Sequence, residues 1–426
     1  MPLHSTRPAL GLKRLWLSES ARLLVMATLM GIVTAFSIVL FHVGMETAHH
    51  LFQEEIGHNL LGGVFGAFGS VIALALAGAL VGWLMHRFVG HERHHGVTAI
   101  VESVALAGGR LPYRKAPFKA LASALSIGAG ASVGPEDPSV QIGANWASAL
   151  GQWMRISEDQ VRLLVAAGAA AAIASAFRTP IAGVFFALEV ILNGTFSTGG
   201  FGAIVLASVI SSALTQAIEP IGAEAVGPLS YTLTSPAEIA LFIPLGIALA
   251  PIAAGLIRIV HGARAAWKQR VTLPAPLGTA LVGALVGIVG LFVPQILGTG
   301  REVMNGVLSG HLDFALGALL VIGVAKLIMT AVSLAGGFVG GVFAPSLFIG
   351  TMFGAAYGHL IEMIVPTTNL QAYAIAGMAG MMSGVLRAPM TAIMIVFELT
   401  NDYRLILPIM LTSIVCMLLA ERFTRE

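Results

Sequence analysis

The chain carries KALASALSIGAGASVGPEDPSVQIGA at residues 119–144 and a second version, KLIMTAVSLAGGFVGGVFAPSLFIGT, at residues 326–351. Lys119, Ser126, Gly130, Gly134, Pro138, Ser139, Ile142 and Gly143 recur 207 positions later as Lys326, Ser333, Gly337, Gly341, Pro345, Ser346, Ile349 and Gly350. A further pair follows. Gly168, Arg178, Pro180 and Glu189 match Gly377, Arg387, Pro389 and Glu398 at an offset of 209. Glycine and proline interrupt helices, and here they do so at corresponding places in two halves of an apolar chain. That pattern points to a transporter-type fold, in which broken helices from both halves meet near the bilayer midplane.

Composition supports a membrane solvent. Of 426 residues, 57% are apolar and 10% charged, and the mean hydropathy is +0.88; soluble domains hold about 25% charged residues. Apolar runs such as Leu23 to Val43, Val64 to Leu84 and Leu163 to Leu192 reach the roughly 20 residues that a spanning helix needs. The expectation is an all-α polytopic membrane protein of two inverted repeats with broken, tilted helices. Its parts are a cytoplasmic N-terminal segment (1–22), a first repeat (23–220), an inter-repeat loop (221–235), a second repeat (236–420) and a short tail (421–426).

Charge sets the orientation. Basic residues gather at Arg7, Lys13, Arg14 and Arg22, at Arg110, Arg114 and Lys115, and at Arg258, Arg264, Lys268 and Arg270. The positive-inside rule puts these segments, and both termini, on the cytoplasmic side. A net charge of +2 gives no reason to expect a nucleic-acid partner, and the single Cys416 excludes an internal disulfide.

Several segments have the chemistry for a site. In GPEDPSVQIG (134–143), Glu136 and Asp137 lie between Gly134 and Pro138. Carboxylates in an apolar segment are functional candidates; otherwise they cap a helix starting at Pro138. The second half's version, GGVFAPSLFIG (340–350), has Phe343 in place of Glu136, with Gly340 and Gly341 allowing close approach to main-chain N–H groups. Tyr403 in LTNDYRLILP (399–408) reads from its surroundings as an interfacial aromatic. His91, His94 and His95 beside Glu92 read as a basic turn opening a helix, in preference to a metal site. The pattern GASVG (130–134) matches G-x-S-x-G at Ser132. No strand precedes it and the repeat has Val339 there, so a membrane serine hydrolase is only a remote alternative. Arg178, Arg387, Glu189 and Glu398 are taken as structural residues at helix starts.

With these residues in view, the chain resembles the CLC family of chloride channels and proton/chloride exchangers over nearly its whole length. GVFAP (341–345) is similar to the family's GxFxP segment, which implies that Val342 and Phe343 bind the central anion through their N–H groups. NDYRLILP is similar to the segment of the family's ligand tyrosine, implying that Tyr403 donates to the same ion. GPEDP is similar to GREGP and implies that Glu136 is the gating glutamate. HHGVT (94–98) stands where the family has GSGIP, implying that His95 and Gly96 close the site from the cytoplasmic side.

The chain departs from the family at four of these positions. Pro135 replaces an arginine, Asp137 a glycine and His95 a serine, while Val190 stands where exchangers carry an inner proton-relay glutamate. The resemblance implies a homodimer in the plasma membrane that moves chloride or a similar small anion, channel-like or weakly coupled to protons, with proton-coupled exchange as the alternative. It implies neither enzyme activity nor a cofactor.

Overall fold

The first apolar run folds as one continuous helix, α1 (Glu19–His49), which passes into a π-helical stretch, His50–Leu60. It begins a turn before the expected boundary at 23. No glycine or proline separates Glu19 from Leu23, and extending an existing helix is far easier than starting one. This computed structural model describes residues 19–90, 96–195, 198–219, 236–365 and 369–425. The loop expected at 221–235 and most of the segment 1–22 lie outside them.

The other helices of the first half are α2 (Gly62–Phe65), α3 (Phe68–Leu84), α4 (Val97–Leu106), α5 (Ala116–Gly128), α6 (Glu136–Met154), α7 (Glu158–Phe177), α8 (Pro180–Phe186) and α9 (Thr198–Ile218). The second half holds α10 (Phe242–Arg270), α11 (Ala275–Phe292), α12 (Arg301–Leu308), α13 (Leu316–Ala335), α14 (Phe343–Glu362), α15 (Leu370–Leu386), α16 (Pro389–Thr400) and α17 (Ile406–Arg425). Among the described residues, eight helical segments are long and apolar enough to cross a membrane. Shorter ones, such as α4, α15 and α16, lie between them.

The repeat is visible as geometry. Gly130 and Gly337 end α5 and α13 at φ +104° and +102°, and Arg178 and Arg387 end α7 and α15 at +60° and +55°. The two arginines are therefore at helix ends, not at starts. Each breaks an apolar run, and a proline opens the next helix two residues later, at Pro180 in α8 and Pro389 in α16.

Helix α6 packs on α7 as α14 packs on α15. Both contacts are backbone on backbone. A Cβ at Gly143 would overlap the Gly168 carbonyl, and one at Gly350 would overlap the Gly377 carbonyl. Small residues let helices approach closely where lipid supplies no hydrophobic drive between them.

One buried charge is matched by main chain. Lys326 on α13 is fully buried, donates to the carbonyls of Ile296 (2.8 Å) and Gly298 (2.6 Å), and lies over the Phe348 ring. It thereby pins the loop that leads into α12.

Candidate functional site

The two repeated turns meet at the centre. Gly134 and Gly341 exchange N–H···O bonds of 2.9 and 2.8 Å as an antiparallel bridge. This joins the turn before α6 to the turn before α14, so both helix starts converge. A helix start leaves its first N–H groups without intrahelical partners and carries the positive end of the dipole.

Helix α6 begins at Glu136, not at Pro138, which sits harmlessly in the first turn. The paired carboxylates therefore do not cap a helix at Pro138; each reaches the start of another helix. Adjacent residues on a helix point about 100° apart, so the two side chains diverge. Glu136 is 1% exposed, and its Oε2 accepts from the Ala344 N–H at 3.2 Å in the first turn of α14. Its Oε1 is buried and, among the described residues, has no hydrogen-bond partner. Asp137 Oδ1 accepts from the Val97 N–H at 2.5 Å in the first turn of α4.

Val342 is the residue preceding α14 and contributes no capping side chain, and Phe343, 3% exposed, opens the helix. Phe343 meets Phe186 edge to face, with ring centroids 5.8 Å apart. Val342, Phe343 and Glu136 are thus brought together, with the carboxylate bonded one residue further along, at Ala344. Gly96, at φ +74°, precedes α4 and lies against the Asp137 carboxylate, which a Cβ there would overlap.

Two cavities approach this centre. One of about 180 Å³ is lined by Glu136, Arg178, Gln216, Thr299, Arg301 and Glu398, among others. Beside it, Glu219 is hydrogen-bonded to His42 at 3.2 Å and ion-paired with Arg178 at 3.8 Å. The His42 bond, with Arg178 and Arg301 near, holds its carboxyl below the usual carboxylate range against the opposing effect of partial burial. The other cavity, about 300 Å³, reaches Gly96.

Asn401 at φ +51° ends α16, and Asp402 accepts from the Arg404 N–H, turning the chain so that Tyr403 is 75% exposed, with its ring edge to face against Phe397. His95 lies outside the described residues, as do His91, Glu92 and His94. Val190 is half-buried in the π-turn Ala187–Ile191 that follows α8. Ser132 Oγ is buried and paired with Thr330 Oγ1 at 3.2 Å.

Sequence reasoning took Glu189 and Glu398 as structural but did not find their partners. Glu398 accepts from the N–H groups of Ile181 (3.0 Å) and Ala182 (2.7 Å) at the start of α8. Glu189 reciprocates at the start of α16, accepting from Met390 (3.1 Å) and from Thr391 through N–H (2.8 Å) and hydroxyl (2.7 Å). The shared offset of 209 for Pro180/Pro389 and Glu189/Glu398 was the available signal. Glu189→Ala should lower stability by about 2 kcal/mol, since it strands two helix-start donors. The midpoint of thermal unfolding in detergent checks this, and an unchanged midpoint would deny the capping role.

Comparison with known proteins agrees with this architecture. The family model described as Voltage gated chloride channel matches residues 77–421. A ClcB-like protein of Ralstonia nicotianae is 34% identical over 325 residues, covering 75% of each chain. The H(+)/Cl(-) exchange transporter ClcA of Vibrio parahaemolyticus is 28% identical over 413 residues, covering 93% of this chain and 85% of the relative. Among solved structures, a slow cyanobacterial Cl-/H+ antiporter superposes with a TM-score of 0.84 at 25% identity, covering 94% of each chain. The reciprocal repeat, the bridged helix starts and these matches together assign the chain to the voltage gated chloride channel family, the CLC proteins.

Proposed function

We propose that the chain carries chloride, or a similar small monovalent anion, through a path gated by Glu136, channel-like or weakly coupled to protons. The observation that carries this reading is the buried Glu136 carboxylate at the start of α14, one oxygen on the Ala344 N–H and the other without a partner among the described residues. It is a tethered anion held by main chain instead of by a formal cation. Helix-start donors give an anion intermediate stabilisation, each such interaction being worth about 0.3–2 kcal/mol. That is enough to admit a dehydrated ion and too little to trap it. Protonation of Glu136 removes its charge and frees the position, and Val342 and Phe343 then offer the next main-chain donors.

The exchanger remains the second reading. It is favoured by the relatives named as H(+)/Cl(-) exchange transporters, while Val190, an aliphatic side chain that relays no proton, favours the first. The basic segments at 110–115 and 258–270 support a cytoplasmic face on the α4 side, with cytoplasmic termini, and family resemblance supports the plasma membrane. Family resemblance supports a homodimer with one path per subunit. Liposomes with a chloride gradient and paired chloride and pH electrodes test the choice. The expected result is chloride efflux with little proton movement, whereas sustained uphill proton movement would establish exchange, and no chloride flux would overturn both readings.

A further inference from the structure

We propose that Asp137 is a second gating carboxylate, a tethered anion that occupies the start of α4 as Glu136 occupies the start of α14. This rests on the reading of Glu136 given above.

The carboxylate is wedged between both halves. On one side its Oδ1 accepts from the Val97 N–H at 2.5 Å, and Gly96 has no Cβ in the space the carboxylate fills. On the other, a Cβ at Gly341 would come within 2.7 Å of the Asp137 Cβ, in the turn that leads to Val342. The side chain therefore sits beside the bridge joining the two repeated turns. It belongs to one half only, since the repeat supplies Ala344 at the equivalent position.

An approach to this position is already built. The cavity of about 300 Å³ that reaches Gly96 is lined by Lys115 and Lys119 and by the polar side chains of Ser103, Gln141 and Asn145, with no carboxylate among the described residues that line it. Gln141 stands one turn beyond Asp137 on α6. Asp137 is partly exposed, where Glu136 is 1% exposed, so water and small ions reach it first. Among the described residues, the charged groups whose fields reach it are Lys119 on α5, Arg264 on α10 and Glu136 on its own helix. The α14 turn adds Gly341, which does not ionise, and α4 meets it with main chain.

The consequence is a second competition. A halide entering by the lysine-lined cavity meets the same N–H donor that Asp137 holds. The ion takes that place when the carboxylate is displaced, or when it accepts a proton from water in the cavity and swings off as the neutral acid. Two adjacent carboxylates thus guard two helix starts: Glu136 lines one cavity, and Asp137 lies against Gly96, which the other cavity reaches. A purely structural cap would behave differently, because asparagine keeps the shape and an acceptor oxygen for the Val97 N–H.

Chloride binding to the purified full chain, measured by titration calorimetry at pH 7.5 and 5, separates these cases for wild type, Asp137→Asn, Glu136→Gln and the double variant. Removing a tethered competitor of millimolar effective concentration should tighten chloride binding in Asp137→Asn about tenfold at pH 7.5. Glu136→Gln should retain part of the tightening that the wild type shows on acidification, and the double variant none. Asp137→Gly, which lacks the side chain altogether, should bind chloride as tightly as Asp137→Asn. Wild-type affinity in both Asp137 variants, with a Glu136→Gln affinity that no longer changes with pH, would overturn the proposal and leave Glu136 as the single gate. An unchanged affinity in Glu136→Gln would instead remove the reading of Glu136, and this proposal with it.

Discussion

Glu136→Gln is expected to bind chloride about tenfold more tightly than the wild-type chain and to lose whatever proton movement the wild type shows. Glutamine preserves the length and shape of the side chain, so the turn before α6 and the Gly134–Gly341 bridge stay in place. What disappears is the full negative charge on the Ala344 N–H and the capacity to take up a proton. A neutral amide holds that donor far less firmly than a carboxylate, because charge-assisted hydrogen bonds are roughly twice as strong as neutral ones. The first turn of α14 is then open to a free anion. Titration calorimetry reads the affinity and liposome electrodes read the two fluxes. Wild-type values in both measurements would deny that Glu136 competes with the transported ion.

Gly350→Val should be the most damaging single substitution outside the anion path, lowering stability by about 3 kcal/mol or more. At this point α14 and α15 touch through their backbones. A side chain at 350 would meet the Gly377 carbonyl and come within 2.7 Å of the Met381 Cβ and 2.8 Å of the Met378 Cα. None of these is the flexible end of a side chain that can rotate away. The helices must separate, and α14 carries the helix start on which Glu136 rests. Loss of stability and loss of chloride binding should therefore occur together, the first read by thermal unfolding in detergent and the second by calorimetry. A melting midpoint within about 2 °C of wild type would show that the crossing is looser than described.

The fold was legible because its signal is periodic and duplicated. Long apolar runs announce helices in a membrane, and glycine and proline at matched offsets announce where those helices break. The pairing of the two turns was legible for the same reason, since Gly134 and Gly341 are repeat equivalents. Partners across the halves were not. A helix-opening proline says that donors need an acceptor, but not that Glu398 reaches α8 while Glu189 reaches α16.

Of the two readings of the carboxylate pair, functional or capping, the capping one was placed at the wrong helix. Capping a helix at Pro138 is the local solution, and only the three-dimensional convergence of α4 and α14 makes two distant helix starts better partners. The setting of Tyr403 was not legible either, because a segment does not state which way a ring faces; the left-handed Asn401 and the Asp402–Arg404 pair set the turn that carries it.

Crystals of Glu136→Gln grown in bromide offer the sharpest examination of the idea that main-chain donors at bridged helix starts hold a bare anion in competition with a tethered carboxylate. An anomalous peak should lie within hydrogen-bond reach of the Ala344 N–H, and it should be weaker or missing in wild-type crystals grown alongside. Bromide absent from that position in the variant, or equally strong there in both proteins, would contradict the account.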